Sequence, residues 1–210
     1  MASGSNGKAE EAVRQEAQTL DHMYKAADFA PTAPRRRLQG DITCYVRAVR
    51  SAEWPAMADG HGSPTPDAWA SDFHTALLSM DVKSAPLSQL ISADQDRDQA
   101  RQTRVAESTP AIPSPVYWLL LATLSVLVVL LGLCLPTAKS ITVTAALVVL
   151  TALLTCVLLA IRDVERPFSG IIQIKPTALT ALEDNMSRHY TATYRHAQLP
   201  CTESGAKREA

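Results

Sequence analysis

The chain has 210 residues, of which 47% are hydrophobic, and its formal net charge is −1. Because a nearly neutral chain has no broad positive field to attract a phosphate backbone, nucleic-acid binding is excluded as its main function. The hydrophobic residues are unevenly spread, and residues 116–135 and 141–161 contain no Asp, Glu, Lys, Arg or His. The composition is therefore typical of a membrane protein with polar flanks.

The N-terminal flank opens with a polar stretch, residues 1–9, which lacks the apolar core of a cleaved secretory signal and which we expect to be disordered. An amphipathic helix is predicted over residues 10–27, where apolar residues recur every three or four positions: Val13, Ala17, Leu20, Tyr24 and Ala27. The same spacing predicts a second helix, which starts near Arg35, ends before Pro55 and has this apolar face: Leu38, Ile42, Tyr45 and Val49.

Two more helices complete a predicted helical domain of about four helices over residues 10–110. The third follows a Gly- and Pro-rich loop and has an apolar face made by Trp69, Phe73, Ala76, Leu77 and Met80. The loop contains His61, but no second metal ligand lies nearby in the sequence, so we predict no metal site there.

The fourth helix starts near Pro86 and has Leu87, Leu90 and Ile91 as its apolar residues. It continues through acids and bases at helical spacing, and the pairs Asp94 with Arg97 and Asp98 with Arg101 predict a solvent-exposed helix that leads toward the membrane. A calcium loop is rejected because its sixth and twelfth positions, normally Gly and Glu, are Gln99 and Val105.

Two further features of the flanks allow more than one interpretation. The run Arg35-Arg36-Arg37 suits either an acidic or phosphate-bearing partner or, as we favour, a solvated basic helix start. The four cysteines, Cys44, Cys134, Cys156 and Cys201, lack CxxC or metal-ligand spacing. We expect small buried side chains or unpaired thiols, with the two flanking cysteines in a reducing compartment.

The two apolar runs predict a membrane hairpin with transmembrane helices over residues 116–135 and 141–161. Each has the ~20 residues that a helix needs to cross a ~30 Å hydrocarbon layer. Basic residues lie mainly outside the hairpin: Arg97, Arg101 and Arg104 precede it, Arg162, Arg166 and Lys175 follow it, and Lys139 is in the connecting loop. This distribution predicts a multi-pass cell-membrane protein with both termini in the cytoplasm.

Small and hydroxyl side chains mark one side of each predicted span. They are Ala122, Ser125 and Gly132 in the first span, and Thr144, Ala145, Thr151, Ala152 and Thr155 in the second. Such residues let helices approach closely in lipid, and we favour packing against other membrane helices over lining a pore. Tyr117 and Trp118 suit the membrane interface as aromatic anchors.

After the second span the chain reads Arg162-Asp163-Val164-Glu165-Arg166-Pro167-Phe168-Ser169-Gly170. Pro167 disfavours helix at the preceding residue, Gly170 permits an unusual backbone angle, and Phe168 is expected at the membrane interface. Residues 162–188 are therefore predicted to be a membrane-exit segment, and residues 189–210, which show no periodicity, a disordered tail.

This exit segment resembles the signature of the uncharacterised bestrophin-like family, a domain of unknown function in bacterial and plant membrane proteins. The resemblance covers about residues 10–185 and includes the acidic, alanine-rich stretch Ala9–Ala17, Tyr45, and the arginines Arg101 and Arg104. The distinctive elements are two short motifs, which supply the candidate site residues Glu53, Trp54, Pro55, Arg166, Pro167, Phe168 and Gly170.

The resemblance implies a cytoplasmic helical domain flanked by two membrane hairpins, a layout shared remotely with the bestrophin anion channels. This sequence begins about where the first hairpin would end, so we expect that N-terminal transmembrane pair to be absent through truncation, a misassigned start or a shortened form. By resemblance the protein is part of an oligomeric ion channel or transporter. The alternative is a non-catalytic, membrane-anchored interaction or scaffold protein.

The expected fold class is all-α, with an integral membrane helical hairpin and an N-terminal cytoplasmic helical domain. We expect the partners to be the lipid bilayer and either further copies of the chain or other membrane helices. No G-x-S-x-G, HExxH or P-loop motif occurs in the sequence, so we predict no enzyme, no catalytic residue, no metal and no cofactor.

Overall fold

A computed structural model describes residues 2–81, 86–109, 114–134, 141–164, 166–169, 173–195 and 197–208. Within these ranges the chain forms eight α-helices and no strand apart from one isolated bridge between Cys201 and Lys207. The helices are α1 (Ala2–Ala26), α2 (Thr32–Ala48), α3 (Trp54–Ala58), α4 (Thr65–Leu78), α5 (Leu87–Ala106), α6 (Ser114–Cys134), α7 (Ile141–Val164) and α8 (Thr177–Thr193). The predicted all-α class is confirmed.

The predicted apolar faces of α1, α2 and α4 form the core of a helical domain in which α1 packs along α5 and α2 packs against α4 and α8. Every residue predicted on these three faces is buried. Helix α1, however, begins at Ala2, so the expected disorder of residues 1–9 does not hold for residues 2–9. Ala9 is fully buried, so the helix has tertiary contacts upstream of the predicted start.

The region around Pro55 differs from the predicted helix end. A π-helical turn, Val49–Glu53, follows α2, and α3 continues directly from it with Pro55 in its first turn. Proline lacks an N–H and crowds the carbonyl four residues earlier, and a widened turn relieves this conflict without ending the helix. The helical path therefore continues through Glu53 instead of ending before Pro55.

Helix α5 is not the solvent-exposed helix that its charges predicted. Leu87 and Leu90 are buried as expected, but Ile91 is 43% exposed, whereas Arg97 and Arg104 are 4% and 0% exposed. The two arginines lie seven residues apart on the buried face of the helix. Arg104 pairs with Glu16 and Glu53 of other segments, whereas Arg97 pairs with Asp94 of its own helix. Helical spacing alone could not distinguish a solvated charge from one paired with a distant helix.

The region after the hairpin belongs to the same helical domain. Residues expected to form part of an exit segment and a disordered tail form helix α8, which buries Leu179, Met186 and Tyr190 against α1 and α2. The hydroxyl of Tyr24 donates to the Met186 carbonyl over 3.3 Å. Helix α8 runs antiparallel to α2 and completes the core.

The described tail, residues 197–208, is also ordered, contrary to the expected disorder. Cys201 forms a disulfide with Cys44 of α2, so these cysteines are not the unpaired thiols that we expected. The indole N–H of Trp69 donates to the Gly205 carbonyl over 2.7 Å, and Gly205, at φ +80°, lies so close to Ala48 that a side chain there would clash. The 157-residue separation of the cysteines explains why no local pattern revealed the pairing.

Helices α6 and α7 lie outside the core. Pro115–Leu133 and Ala145–Asp163 are long and apolar enough to cross a membrane, and none of these residues is buried. Arg162 stacks over the Tyr117 ring, 5.1 Å from its centroid, which places the end of α7 beside the start of α6. Cys156 is free and exposed, as expected for an unpaired thiol. The connecting loop lies outside the described residues.

The predicted small-residue faces fare differently in the two helices. Thr151 and Thr155 of α7 are half-buried, whereas Ala145 and Ala152 of α7 are exposed, and the side chain of Thr144 lies outside the described part of the chain. Ala122, Ser125 and Gly132 of α6 are all exposed. No described atom lies within 4 Å of a Cβ placed on Gly132. The least exposed residues of α6 are instead Tyr117, Leu121, Leu124 and Val128. The small-residue face of α6 is thus uncovered.

Candidate functional site

The candidate site is built around Arg104, whose side chain is fully buried between three helical segments. Its Nε donates to Glu16 Oε2 over 2.6 Å, and its Nη2 donates to Glu53 Oε2 over 2.6 Å. Glu16 comes from α1, Glu53 from the π-helical turn and Arg104 from α5, and none of the three is exposed. One guanidinium therefore ties together parts of the chain that are up to 88 residues apart.

Arg101 extends the cluster toward the surface. Its Nη2 donates to Glu53 Oε1 over 2.6 Å and to the Ser63 carbonyl over 3.1 Å, and its Nη1 pairs with Asp67 at the start of α4. Glu53 thus accepts hydrogen bonds from two arginines, one turn apart on α5. The pairing of Arg101 with Asp98 that spacing predicted is replaced by these contacts with other segments.

Arg97 and Tyr45 extend the cluster in the opposite direction along α5. Tyr45 Oη donates to Glu16 Oε1 over 2.7 Å, and Arg97 Nη1 donates to the same hydroxyl over 3.4 Å. The Arg97 guanidinium also lies 5.0 and 5.1 Å from the ring centroids of Tyr45 and Phe73 and pairs with Asp94 over 2.7 Å. The predicted pair of Asp94 and Arg97 is confirmed, in a more buried setting. We call Glu16, Tyr45, Glu53, Arg97, Arg101 and Arg104 the buried charge cluster.

The electrostatics of the cluster keep Glu53 and Arg104 ionised. Burial opposes ionisation of the Glu53 carboxyl, but the positive charges of Arg104 and Arg101 outweigh it and hold the pKa of Glu53 below its ordinary value. Burial likewise opposes the charged form of Arg104, whereas Glu16 and Glu53 raise its pKa above the ordinary value. Charges that are this buried are tolerated only when each is paired, so removing one partner is costly.

The two family motifs meet beside this cluster. Phe168 of the exit segment packs its ring edge-on against Trp54, with centroids 5.2 Å apart. Phe168 is buried together with Ala9 and Met57, and the Met57 sulfur lies 3.1 Å from Arg104 Nη1. The expectation that Phe168 lies at the membrane interface is wrong, because the aromatic surface of Trp54 gives it a protein partner.

The remaining predicted site residues lie around this contact. Pro167 is buried, and its carbonyl accepts a hydrogen bond from the Ile174 N–H over 2.8 Å, which turns the chain back toward α8. Pro55 and Arg166 are exposed. Gly170 lies outside the described residues. The end of the hairpin is therefore attached to the helical domain through Phe168 and Pro167.

Sequence reasoning singled out Tyr45, Glu53, Arg101 and Arg104 but missed Glu16 and Arg97 as members of the cluster. The missed signal is the face on which they lie: Glu16 falls three residues after Val13 and four before Leu20, on an otherwise apolar stripe. A charge inside an apolar stripe indicates a buried partner. His61, by contrast, is exposed.

The arrangement defines an all-α protein in which a pair of long apolar helices is attached to a helical domain beside a buried charge cluster. A model of the family described as Bestrophin-like domain matches residues 3–179, a range that contains the whole cluster and the contact of Trp54 with Phe168. The chain belongs to the bestrophin-like family, as its two motifs predicted. No curated protein and no solved structure matches it. Family membership and the two apolar helices together indicate localisation to a membrane.

Proposed function

We propose that this protein is a subunit of an oligomeric ion channel in the cell membrane, with α6 and α7 as its spans and the helical domain in the cytoplasm. The observation that carries the proposal is the contact of Phe168 with Trp54 in a bestrophin-like chain. Through this contact, a displacement at the end of α7 is transmitted to the segment that contains Glu53. A bare membrane anchor needs no such connection.

The contacts within the helical domain support a hairpin that crosses the membrane twice. Segments before and after the hairpin share one core, and Arg47 pairs with Glu183 over 2.8 Å across it. This shared core favours a topology in which both flanks lie on the same side of the membrane. The basic residues next to the spans favour the cytoplasmic side. Cytoplasmic proteins rarely keep a disulfide, and complete burial of Cys44 and Cys201 protects the bond from reductants there.

The hairpin itself supports assembly into an oligomer. Two helices without charged side chains in their apolar stretches do not enclose an ion path, so conduction needs several copies of the hairpin around an axis. The exposed small residues of α6 offer a surface where a helix of a second copy could approach closely. We expect homo-oligomerisation through this face.

The test is ion flux through liposomes that contain the purified full chain. Chloride and potassium flux above that of empty liposomes is expected. Phe168→Ala should reduce the flux, because it removes the contact of the exit segment with Trp54. The matched control is Phe29→Ala, since Phe29 is 75% exposed and its truncation should leave the flux unchanged. Absence of flux for both ions would overturn the channel proposal.

A non-catalytic, membrane-anchored scaffold is the second candidate, and the absence of charged residues from the apolar runs favours it. In that case the protein would give no flux. Cross-linking of the full chain in native membranes adds a second test, since a channel requires oligomers. A purely monomeric protein would overturn the channel proposal and leave the anchored scaffold. We propose no catalytic role for the protein in either case.

A further inference from the structure

A groove of about 850 Å³ lies on the helical domain, away from the buried charge cluster. It is bounded on one side by the first half of α2 and on the other by the end of α8 and the tail, and Gly40 lies between them. Its volume is in the range of sites that hold small organic molecules. The lining residues that matter here are Arg36, Arg37, Asp41, Tyr190, Tyr194 and Arg195.

Arg36, Arg37 and Arg195 give this groove its positive charge. Arg35, the first of the Arg-Arg-Arg run, does not line the groove and donates instead to the Ala30 carbonyl over 3.1 and 3.0 Å. Arg36 and Arg195 have no hydrogen bond or ion pair with any described residue, and Arg37 is held only by a 3.7 Å ion pair with Asp41. These guanidinium groups are available to an anion.

Asp41 gives the groove a second, independent polar feature. It is 5% exposed, and its Oδ2 accepts no hydrogen bond. A buried oxygen without a donor is costly, so a ligand that brings a hydroxyl or amino group would be favoured there. Arg37, which covers Asp41, is exposed and only loosely paired. Its side chain can turn toward an anion and uncover the carboxylate.

We propose that this groove binds a soluble organic phosphate, with the phosphate on Arg36, Arg37 and Arg195 and a hydroxyl or amino group of the same molecule on Asp41. The rings of Tyr190 and Tyr194, with centroids 4.9 Å apart, provide an apolar wall for the remainder of the ligand. The ligand is thus bifunctional: an anion at one end and a hydrogen-bond donor at the other. The proposal is independent of channel function.

The position of the groove favours a soluble ligand over a lipid headgroup. Helix α2 and the π-helical turn run from the groove to Glu53, next to the contact of Trp54 with Phe168 at the membrane exit. Thirteen residues separate Gly40 from Glu53, which corresponds to about 20 Å of helix. The groove is therefore at the end of the domain farther from the hairpin, out of reach of a headgroup.

The experiment is isothermal titration of the full chain in nanodiscs with four probes: ribose 5-phosphate, adenosine monophosphate, inorganic phosphate and adenosine. The two organic phosphates should bind, inorganic phosphate about tenfold more weakly, and adenosine not measurably. Binding of adenosine, equal binding of inorganic phosphate, or no binding of either organic phosphate would overturn the proposal. So would displacement of ribose 5-phosphate by short-chain phosphatidylglycerol, which would indicate a lipid site.

Variants locate the binding to the groove. The double change Arg36→Ala with Arg195→Ala should weaken ribose 5-phosphate binding at least about tenfold, because two phosphate ligands are lost. Arg188→Ala, on the same helix as Tyr190 but not lining the groove, is the control and should leave binding unchanged. Equal affinities in the double variant and the control would contradict the assignment. Because Arg36 and Arg195 have no partner to lose among the described residues, the double variant should fold.

Asp41→Asn distinguishes the contributions that the two ends of the proposed ligand make to binding. At pH 8, where the Asp41 carboxyl is ionised, removing its negative charge should strengthen binding of inorganic phosphate, whereas losing a carboxylate acceptor should reduce the advantage of ribose 5-phosphate over inorganic phosphate. An unchanged ratio of the two affinities would show that Asp41 does not contact the ligand, and would overturn the bifunctional site.

Discussion

The helical domain and the hairpin distribute charged and apolar side chains in opposite ways. The domain places Glu16, Glu53 and Arg104 at its centre with no exposed surface, whereas α6 and α7 present their leucines and valines outward and have no buried residue in their apolar stretches. The helical domain has a surface suited to water, whereas α6 and α7 have a surface suited to lipid. In the domain, removing a side chain should affect stability strongly; in the hairpin, the bilayer supplies the surroundings, and the same change should matter little.

Arg104→Ala should have the largest effect on the domain. The change leaves Glu16 and Glu53 as buried carboxylates without their shared partner, and the free energy of unfolding should fall by about 3–5 kcal/mol. The measurement is urea denaturation in nanodiscs followed by tryptophan fluorescence, in a Trp118→Phe background so that only Trp54 and Trp69 report. Arg14→Ala, which breaks an exposed pair with Glu10, should cost less than about 0.5 kcal/mol. A cost below about 1 kcal/mol for Arg104→Ala would show that the cluster does not hold the domain together.

A matched pair of leucines tests the comparison most directly. Leu38 of α2 is fully buried and Leu130 of α6 is 56% exposed. In the same assay Leu38→Ala should lower the free energy of unfolding by about 3 kcal/mol, through lost burial and the cavity left behind, and Leu130→Ala by less than about 0.5 kcal/mol. Similar costs for the two variants would mean that the hairpin packs into the domain and that the contrast is false.

Cys201→Ser tests how firmly the tail belongs to the domain. Loss of the bond to Cys44, which closes a loop of 157 residues, should cost about 2 kcal/mol. This is the low end of the usual range, because Trp69 and Asp72 still hold the tail through Gly205 and Lys207. Mass spectrometry of the wild-type protein after thiol alkylation without reduction should show Cys44 and Cys201 unalkylated and joined. Alkylation of either cysteine would refute the pairing.

The smallest expected effect is a pH dependence from Asp41. Burial first and Asp72 second raise the pKa of Asp41 to about 7, although Arg37 and Lys207 act in the opposite direction, and Tyr190 faces it from α8. The folded state therefore holds this proton more tightly than the unfolded state. Its contribution to stability is full in acid and is lost as the pH rises through 7.

Between pH 6 and pH 8, wild-type stability should fall by about 1.4 kcal/mol more than that of Asp41→Asn. Denaturation curves at the two pH values measure this difference. Parallel behaviour of the two proteins would mean that Asp41 is ionised throughout this range.

The sequence was sufficient to predict which faces of α1, α2 and α4 are buried, because a helical period of apolar residues reports burial directly. It could not predict which charges are buried, because the sequence around Arg104 is compatible with a side chain that contacts water, a lipid phosphate or Glu16. Helix α8 has Leu179, Met186 and Tyr190 on one face at helical spacing, but it was missed because the segment was interpreted as a membrane exit followed by a polar tail. The disulfide partner of Cys44 could not be predicted either, because Cys201 reaches it only through the tertiary fold, 157 residues later in the chain.

The contribution of α8 and the tail to the domain has a consequence for synthesis of the protein. The ribosome makes α1 to α5 first, then the two apolar helices, and then the segment that covers α2. About 100 residues separate the end of α5 from the tail residues that pack on α2 and α4, which corresponds to roughly 5–20 s of translation. During that interval the surface that later receives Leu179 and Met186 is open. On the proposed topology, the hairpin inserts while the domain is unfinished, and the domain closes only after the chain has returned from the membrane.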